Sequence, residues 1–345
     1  MTTLPLILWT EKGLFCPRGN FYIDPHRAVD LAIVTHAHSD HARRGCTHYI
    51  CEESGAGLLK ARLGKNISLS THRYGKPFTV GDVKVSLHSA GHILGSAQVR
   101  VEFQGEVWVA SGDYKRDRDP SCEPFEKVRC DTFITEATFG TPTFTWEKNL
   151  EHGRMIHEWW KGNAAQGFNS ILFGYSLGKA QRILAELAPH AHRKILIHKT
   201  ITALTDCYRE VGRTLAETKE LQEAIKELIF DQTLQGELIL CPPSVLKESW
   251  ASQLGRYKTA FASGWMQKGG FGHRRYDHGF IMSDHADWND LNQTIEETGA
   301  SRVFVQHRNG ALIQHLKRKG MQAFPIEDLT VKGVFESGGI PLRLL

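Results

Sequence analysis

Four side chains able to bind a metal, His36, His38, Asp40 and His41, stand within the six residues His36, Ala37, His38, Ser39, Asp40, His41. Imidazole nitrogen and carboxylate oxygen are ligands that zinc and related divalent ions take. His36 and His38 can face one ion, while Asp40 and His41, expected at the start of a following helix, can face a second. Two ions held this close suit hydrolysis, because they can share one hydroxide as nucleophile. A histidine-rich surface loop would carry the same letters. The apolar run Leu31, Ala32, Ile33, Val34 just before them reads as a buried strand, however, and a loop leaving a buried strand aims side chains from a rigid base.

Composition bounds the rest of the chain. With 345 residues, 41% of them hydrophobic, there is room for two domains or one large one. No apolar run approaches a membrane span, and Met1 to Thr10 lacks a basic start and a cleavage site, so a cytoplasmic protein is expected. The seven cysteines, Cys16, Cys46, Cys51, Cys122, Cys130, Cys207 and Cys241, include no Cys-x-x-Cys pair, which argues against a disulfide framework or a cysteine zinc knuckle. A net charge of +4 does not announce a nucleic-acid partner. Basic residues nevertheless cluster at Arg43 and Arg44, at Lys115, Arg116 and Arg118, and at Arg274 and Arg275, beside candidate site segments. Such clusters are either solvated surface or the lining of a phosphate-binding cleft.

Other elements must bring partners to the histidine stretch. Phe21 to Ile23 reads as a strand delivering Asp24, either a support for the site or a turn residue. A helix through Leu58, Leu59 and Leu63 precedes a polar strand near Ile67 to Ser70, with His72 beyond it as a surface histidine. Val83 to His88 alternates as a strand and runs into Gly91, His92 and Gly95, where glycines let the backbone pack closely around His92; His88 competes but lacks that setting. Val99 to Phe103 and Val107 to Ala110, joined by Gln104 and Gly105, read as a hairpin that ends at Asp113. The strand Phe133 to Thr135 ends in Glu136. Between this point and Phe280 strands and helices alternate: a helix around Trp146 to Trp160, a strand Ile171 to Tyr175, a helix Ala180 to Leu187, a strand Ile195 to His198, helices between Ile201 and Leu228, and strands at Leu238 to Cys241 and Thr259 to Ala262. Ser176, Gly178 and Lys179 at the start of a helix suit either a phosphate site or an ordinary cap. Short apolar runs later deliver His285 and His307.

The pattern His-x-His-x-Asp-His, with His92 and Asp113 downstream, resembles the metallo-β-lactamase superfamily. Glu136, His285 in Ser283 to Trp288, and His307 resemble the additional motifs of its β-CASP nuclease branch. Phrases around Phe15 to Pro17, Ile23 to Pro25, Gly178 to Gln181 and Ser263 to Met266 are similar to the bacterial ligase-associated DNA exonucleases. The resemblance implies an α/β fold, an αβ/βα sandwich over residues 1–142 and 273–345, with a β-CASP cap of small parallel sheet and flanking helices inserted at 143–272. It implies two divalent ions, zinc or manganese. His36, His38 and His92 would hold the first, Asp40, His41 and His307 the second, and Asp113 both. Asp24 would support the ligands, and His285, tuned by Glu136, would act as general acid, with Asp40 also at the reacting centre. Ser176, Gly178, Lys179, Arg43, Arg44 and Arg308 would contact phosphates. Arg308 stands where these families have glycine. The implied activity is trimming of DNA ends, single-stranded or frayed, beside a DNA ligase and a helicase in repair, with a preference for the 5′ end. Its rivals are an RNA-processing nuclease of the RNase J or polyadenylation type, a small-molecule thioester or lactam hydrolase, and a catalytically dead scaffold.

Overall fold

The structure is a computed structural model that describes residues 5–228, 233–247, 253–267, 275–306 and 310–330. Among the described residues the strands form three sheets. The first holds β1 (Leu8–Thr10), β2 (Gly13–Cys16), β3 (Phe21–Ile23), β4 (Leu31–Ile33), β5 (His48–Glu52) and β6 (Leu69–His72) in that order, with helix α1 (Ala56–Leu63) between the last two. Pairing is antiparallel from β1 to β3 and parallel from β3 to β6.

A second sheet begins with β7 (Phe78–Val80), β8 (Val83–Ser89), β9 (Ala97–Phe103), β10 (Glu106–Ala110) and β11 (Thr132–Thr135). The expected hairpin forms between β9 and β10, where Gln104 (φ 50°) and Gly105 (φ 87°) supply the two left-handed residues that a tight turn between right-twisted strands requires. The chain then builds α2 (His152–Ala165), β12 (Asn169–Phe173), α3 (Lys179–Leu187), β13 (Ile195–Ile197), α4 (Lys199–Glu210), β14 (Thr218–Glu220), α5 (Leu221–Lys226), β15 (Leu238–Cys241), β16 (Tyr257–Ala262) and β17 (His278–Phe280). These strands form a third, wholly parallel sheet of order β14-β13-β15-β12-β16-β17. Finally α6 (Trp288–Thr298), β18 (Arg302–Val305), α7 (Gly310–Arg318) and β19 (Gln322–Pro325) return to the second sheet, where β18 lies against β11.

Burial follows from this layering. Ile33 and Ile50 of the first sheet meet Val99, Trp108 and Ile134 of the second in one core. Leu291, Ile295, Leu312 and Leu316 of α6 and α7 cover the other face of the second sheet, and Leu58 and Leu59 of α1 cover the first. The order is helix, sheet, sheet, helix. The third sheet is buried on both faces, as a parallel sheet with helical crossovers must be. All seven cysteines are free. Among the described residues no helix is long and apolar enough to cross a membrane.

Several expectations are corrected. No helix follows His41, since residues 39–41 form a turn only. Helix α2 starts at His152 and not near Trp146, because Asn149 adopts φ 60° and Trp146 packs edge-on against Phe139 at 5.1 Å. β17, expected with the returning sandwich, is the edge of the third sheet. His72 belongs to β6 and stacks on Phe78 at 3.6 Å while staying partly exposed.

Candidate metal centre

Strands β8 and β10 run in the same direction because each is antiparallel to β9, and β11 is parallel to β10. Their carboxyl ends therefore share one edge, where an open sheet presents its site. His92 follows β8, Asp113 follows β10 and Glu136 follows β11, while β4 of the facing sheet delivers His36 to the same edge. Gly91 makes the turn before His92 possible: it has φ 69°, and a Cβ there would lie 2.4 Å from the carbonyl oxygen of Lys115.

Four donors converge. His36 Nε2 lies 3.0 Å from His38 Nδ1, His92 Nε2 lies 3.1 Å from the same atom, and Asp113 Oδ2 is 3.6 Å from His36 Nε2 and 3.8 Å from His92 Nε2. A tetrahedron of nitrogen and oxygen around zinc has edges of about 3.4 Å. The spacing fits one ion. On the other side of Asp113, His41 Nε2 lies 3.4 Å from Asp113 Oδ2 and 3.7 Å from Asp40 Oδ2, the start of a second set. His307, expected to complete it, lies outside the described residues, as does Arg308.

The outer nitrogen of each histidine is held by an acceptor. Asp24 accepts the Thr35 hydroxyl at 2.6 Å, so Thr35 Oγ1 receives its other bond, 3.0 Å, from His36 Nδ1. His38 Nε2 donates to Leu177 O (3.2 Å), His92 Nδ1 to Asp284 O (2.6 Å) and His41 Nδ1 to Asp24 Oδ2 (2.7 Å). With those protons placed outward, the inner nitrogens of His36, His38 and His92 present their lone pairs to the cluster. Asp24 sits at φ 46°, an unusual conformation for aspartate, and anchors both Thr35 and His41.

Electrostatics agree with cation binding. Burial, reinforced by neighbouring histidines, holds His36 and His92 well below the usual histidine value, so they are neutral. Burial would raise Asp113, but His41 and His285 overcome it and keep the carboxyl well below its ordinary range. Its Oδ1 is buried and has no hydrogen-bond partner among the described residues, a costly state unless a cation sits there. His41 behaves differently: against burial, Asp113 and Asp24 raise it well above the usual value. It keeps its proton unless another cation takes that position.

Beside this cluster stands a second grouping of Asp113, Glu136 and His285. Glu136 is fully buried, accepts from Tyr114 N (2.7 Å) and Thr138 Oγ1 (2.6 Å), and lies 3.0 Å from His285 Nδ1. Burial opposes the charge on His285, yet Glu136 and Asp113 lift its pKa to about 9. It is an imidazolium at neutral pH, with Nε2 as the nitrogen left to give a proton.

A cleft of about 710 Å³ opens over these groups, and its walls include Asp40, Ser176, Tyr175, Trp265 and His285. The residues expected at phosphates are placed differently from one another. Ser176 and Lys179 both line the cleft, and Lys179 is buried with its Nζ on Asp284 Oδ1 (2.7 Å) and Met282 O (2.5 Å). Gly178 has its N–H taken by Gln181 Oε1 at 2.8 Å. Arg43 and Arg44 are exposed away from the lining, and Arg44 bonds the carbonyl of Arg62. Among the described residues Arg62, which nothing in the sequence distinguished, is the arginine that lines the cleft. His88 pairs with Glu126 at 2.8 Å and takes no part.

No family model matches the sequence. The chain is 30% identical over 328 residues, 92% of its length, to a probable DNA ligase of Opitutus terrae, of which it spans 31%. It is 26% identical over 46% of its length to an RNase J-like protein of Methanocaldococcus jannaschii, and 32% identical over 34% of its length to the endoribonuclease YSH1 of Eremothecium gossypii. It spans 43% and 15% of those two proteins. A crystal structure of a protein of unknown function from Enterococcus faecalis V583 shares the fold, with a TM-score of 0.52 and 14% identity over 85% of this chain and 78% of that one. With the histidine and carboxylate cluster in place at the sheet edge, these similarities are consistent with a β-CASP metallo-β-lactamase fold.

Proposed function

We propose that the chain is a metal-dependent DNA exonuclease that hydrolyses phosphodiester bonds at single-stranded or frayed ends, working with a DNA ligase and a helicase in repair. The observation that carries this reading is the pair of groupings sharing Asp113, one made of neutral histidines and the other of an imidazolium on a buried glutamate. In this reading His36, His38, His92 and Asp113 hold one divalent ion, and Asp113, Asp40, His41 and His307 hold another, zinc or manganese in each case. Such ions supply charge stabilisation at phosphorus and ease the ionisation of water. Residues 143–272 act as the cap, its sheet extended to Phe280 by β17.

The side chains have separable tasks. Asp24 fixes His41 and, through Thr35, His36. His285 protonates the departing sugar oxygen, and Glu136 holds its ring and keeps it charged. Ser176 and Arg62 face the backbone phosphates in the cleft. A lactam or thioester hydrolase would leave the His285–Glu136 pair and the third sheet without a task.

The match to a probable DNA ligase along 92% of the chain favours DNA. Similarity to an RNase J-like protein and an endoribonuclease favours RNA as the second reading. End-labelled DNA and RNA of the same sequence, single- and double-stranded and linear or circular, assayed with zinc or manganese, distinguish them. Degradation of linear single-stranded DNA with survival of closed circles supports the proposal. Rapid cutting of circles shows an endonuclease, and preference for RNA moves the protein to RNA processing.

A further inference from the structure

One wall of the cleft is aromatic, and the chemistry of the cation cluster gives it no task. Phe139, three residues beyond Glu136, has its ring 6.1 Å from that of His285 and packs against Phe144 at 4.9 Å and Trp265 at 5.0 Å. Phe144 lies 5.2 Å from Trp265, so two rings brace the indole from behind. The preceding residue must be glycine for this to happen: a Cβ on Gly264 would lie 2.6 Å from Phe139 Cζ. Trp265 is nevertheless half-buried at the cleft. Tyr175, at the end of the segment leaving β12, lines the same cleft and is 53% exposed.

An indole braced by two rings, with an exposed phenol ring on the same polar cleft, suits a flat ligand with a polar rim. A phosphate chain alone would not need them. Resting on the nuclease reading above, we propose that Trp265 and Tyr175 form a nucleobase-stacking subsite for the nucleotide on the leaving-group side of the scissile phosphate. The side follows from Phe139, which links the aromatic wall to His285, the donor to the departing oxygen. A base can enter only after leaving its helical stack, so the subsite selects an unpaired end without reading its sequence.

The test is a cycle between Trp265→Ala and an abasic substitution in linear single-stranded DNA, placed in turn on each side of a labelled scissile bond. The expected result is a loss of about ten- to hundredfold in kcat/KM for Trp265→Ala on intact strand, a similar loss for wild-type protein on the strand abasic on the leaving side, and little further loss when the two are combined. Trp265→Phe should retain most activity, and Tyr175→Ala should behave as a weaker Trp265→Ala. Losses that multiply independently, or a wild-type protein that cleaves intact and abasic strands alike, overturn the subsite and leave the nuclease reading standing. A wild-type protein that cleaves neither DNA nor RNA overturns both.

Discussion

Lys179 Nζ lies 2.7 Å from Asp284 Oδ1, and both side chains are buried between helix α3 and the loop that carries His285. The carbonyl of Asp284 receives His92 Nδ1–H, and Arg182, one turn along α3, donates to the carbonyl of Ser283 at 2.5 Å. Helix α3 therefore sets the loop that orients both a cluster histidine and the proposed acid. Burial, against the pull of Asp284, lowers Lys179 to about 8, while Lys179, Lys115 and Arg182 overcome burial to keep Asp284 far below the usual carboxylate range.

Replacing Lys179 by methionine should accordingly destabilise the protein by about 3–5 kcal/mol, because Asp284 would be left buried without its partner. Thermal denaturation reads this directly. An unchanged melting temperature with weakened DNA binding would instead return Lys179 to the phosphate-contact role that its position before a helix suggests.

Asp113→Ala should empty both proposed cation positions at once and abolish cleavage, since the two sets share that carboxylate. Elemental analysis of the purified variant against wild type is the measurement. A variant retaining the full wild-type metal content would show that Asp113 bridges nothing.

Asp24→Ala should act through His41 and Thr35 without touching a cation. Loss of such a supporting carboxylate weakens metal affinity by about 10- to 100-fold. Competition with a chelator measures it, and an unaltered affinity would make Asp24 a turn residue only.

Much of this architecture is legible in the sequence where a strand is short, apolar and followed by a distinctive residue. β4 before His36, β10 before Asp113 and β11 before Glu136 have that form, while the longer β8 before His92 shows itself by alternation, because burial fixes the strand and the loop takes what chemistry requires. Long side chains were not legible in the same way. The ends of Lys179, Arg43 and Arg62 depend on what packs against them, and the sequence around each is equally suited to solvent or to a cleft. Trp146 to Asn149 has the composition of a helix start, yet the packing of Trp146 on Phe139 and the left-handed Asn149 override that local preference. The outward hydrogen bonds of His38 and His92 to Leu177 and Asp284 span 139 and 192 residues, separations at which no local pattern operates.

The last prediction separates proton transfer from cation binding. If His285 is the proton donor proposed above and not a ligand, His285→Ala should slow cleavage by about 10²- to 10⁴-fold with metal content near wild type. Loss of an ion in this variant would make His285 a ligand. Glu136→Gln asks how the proton is held. The pKa of His285 is raised above the ordinary histidine value to about 9, against burial, with Glu136 the largest upward influence. A raised value means the acid form persists at neutral pH and activity is lost as pH rises through the alkaline limb. Removing the negative charge of Glu136 while keeping its shape should move that limb to lower pH. A rate–pH profile of wild type and Glu136→Gln on one single-stranded substrate measures the displacement. If the limb stays in place while the rate falls uniformly, Glu136 only positions the ring; if the limb moves upward, the proton that matters is not on His285.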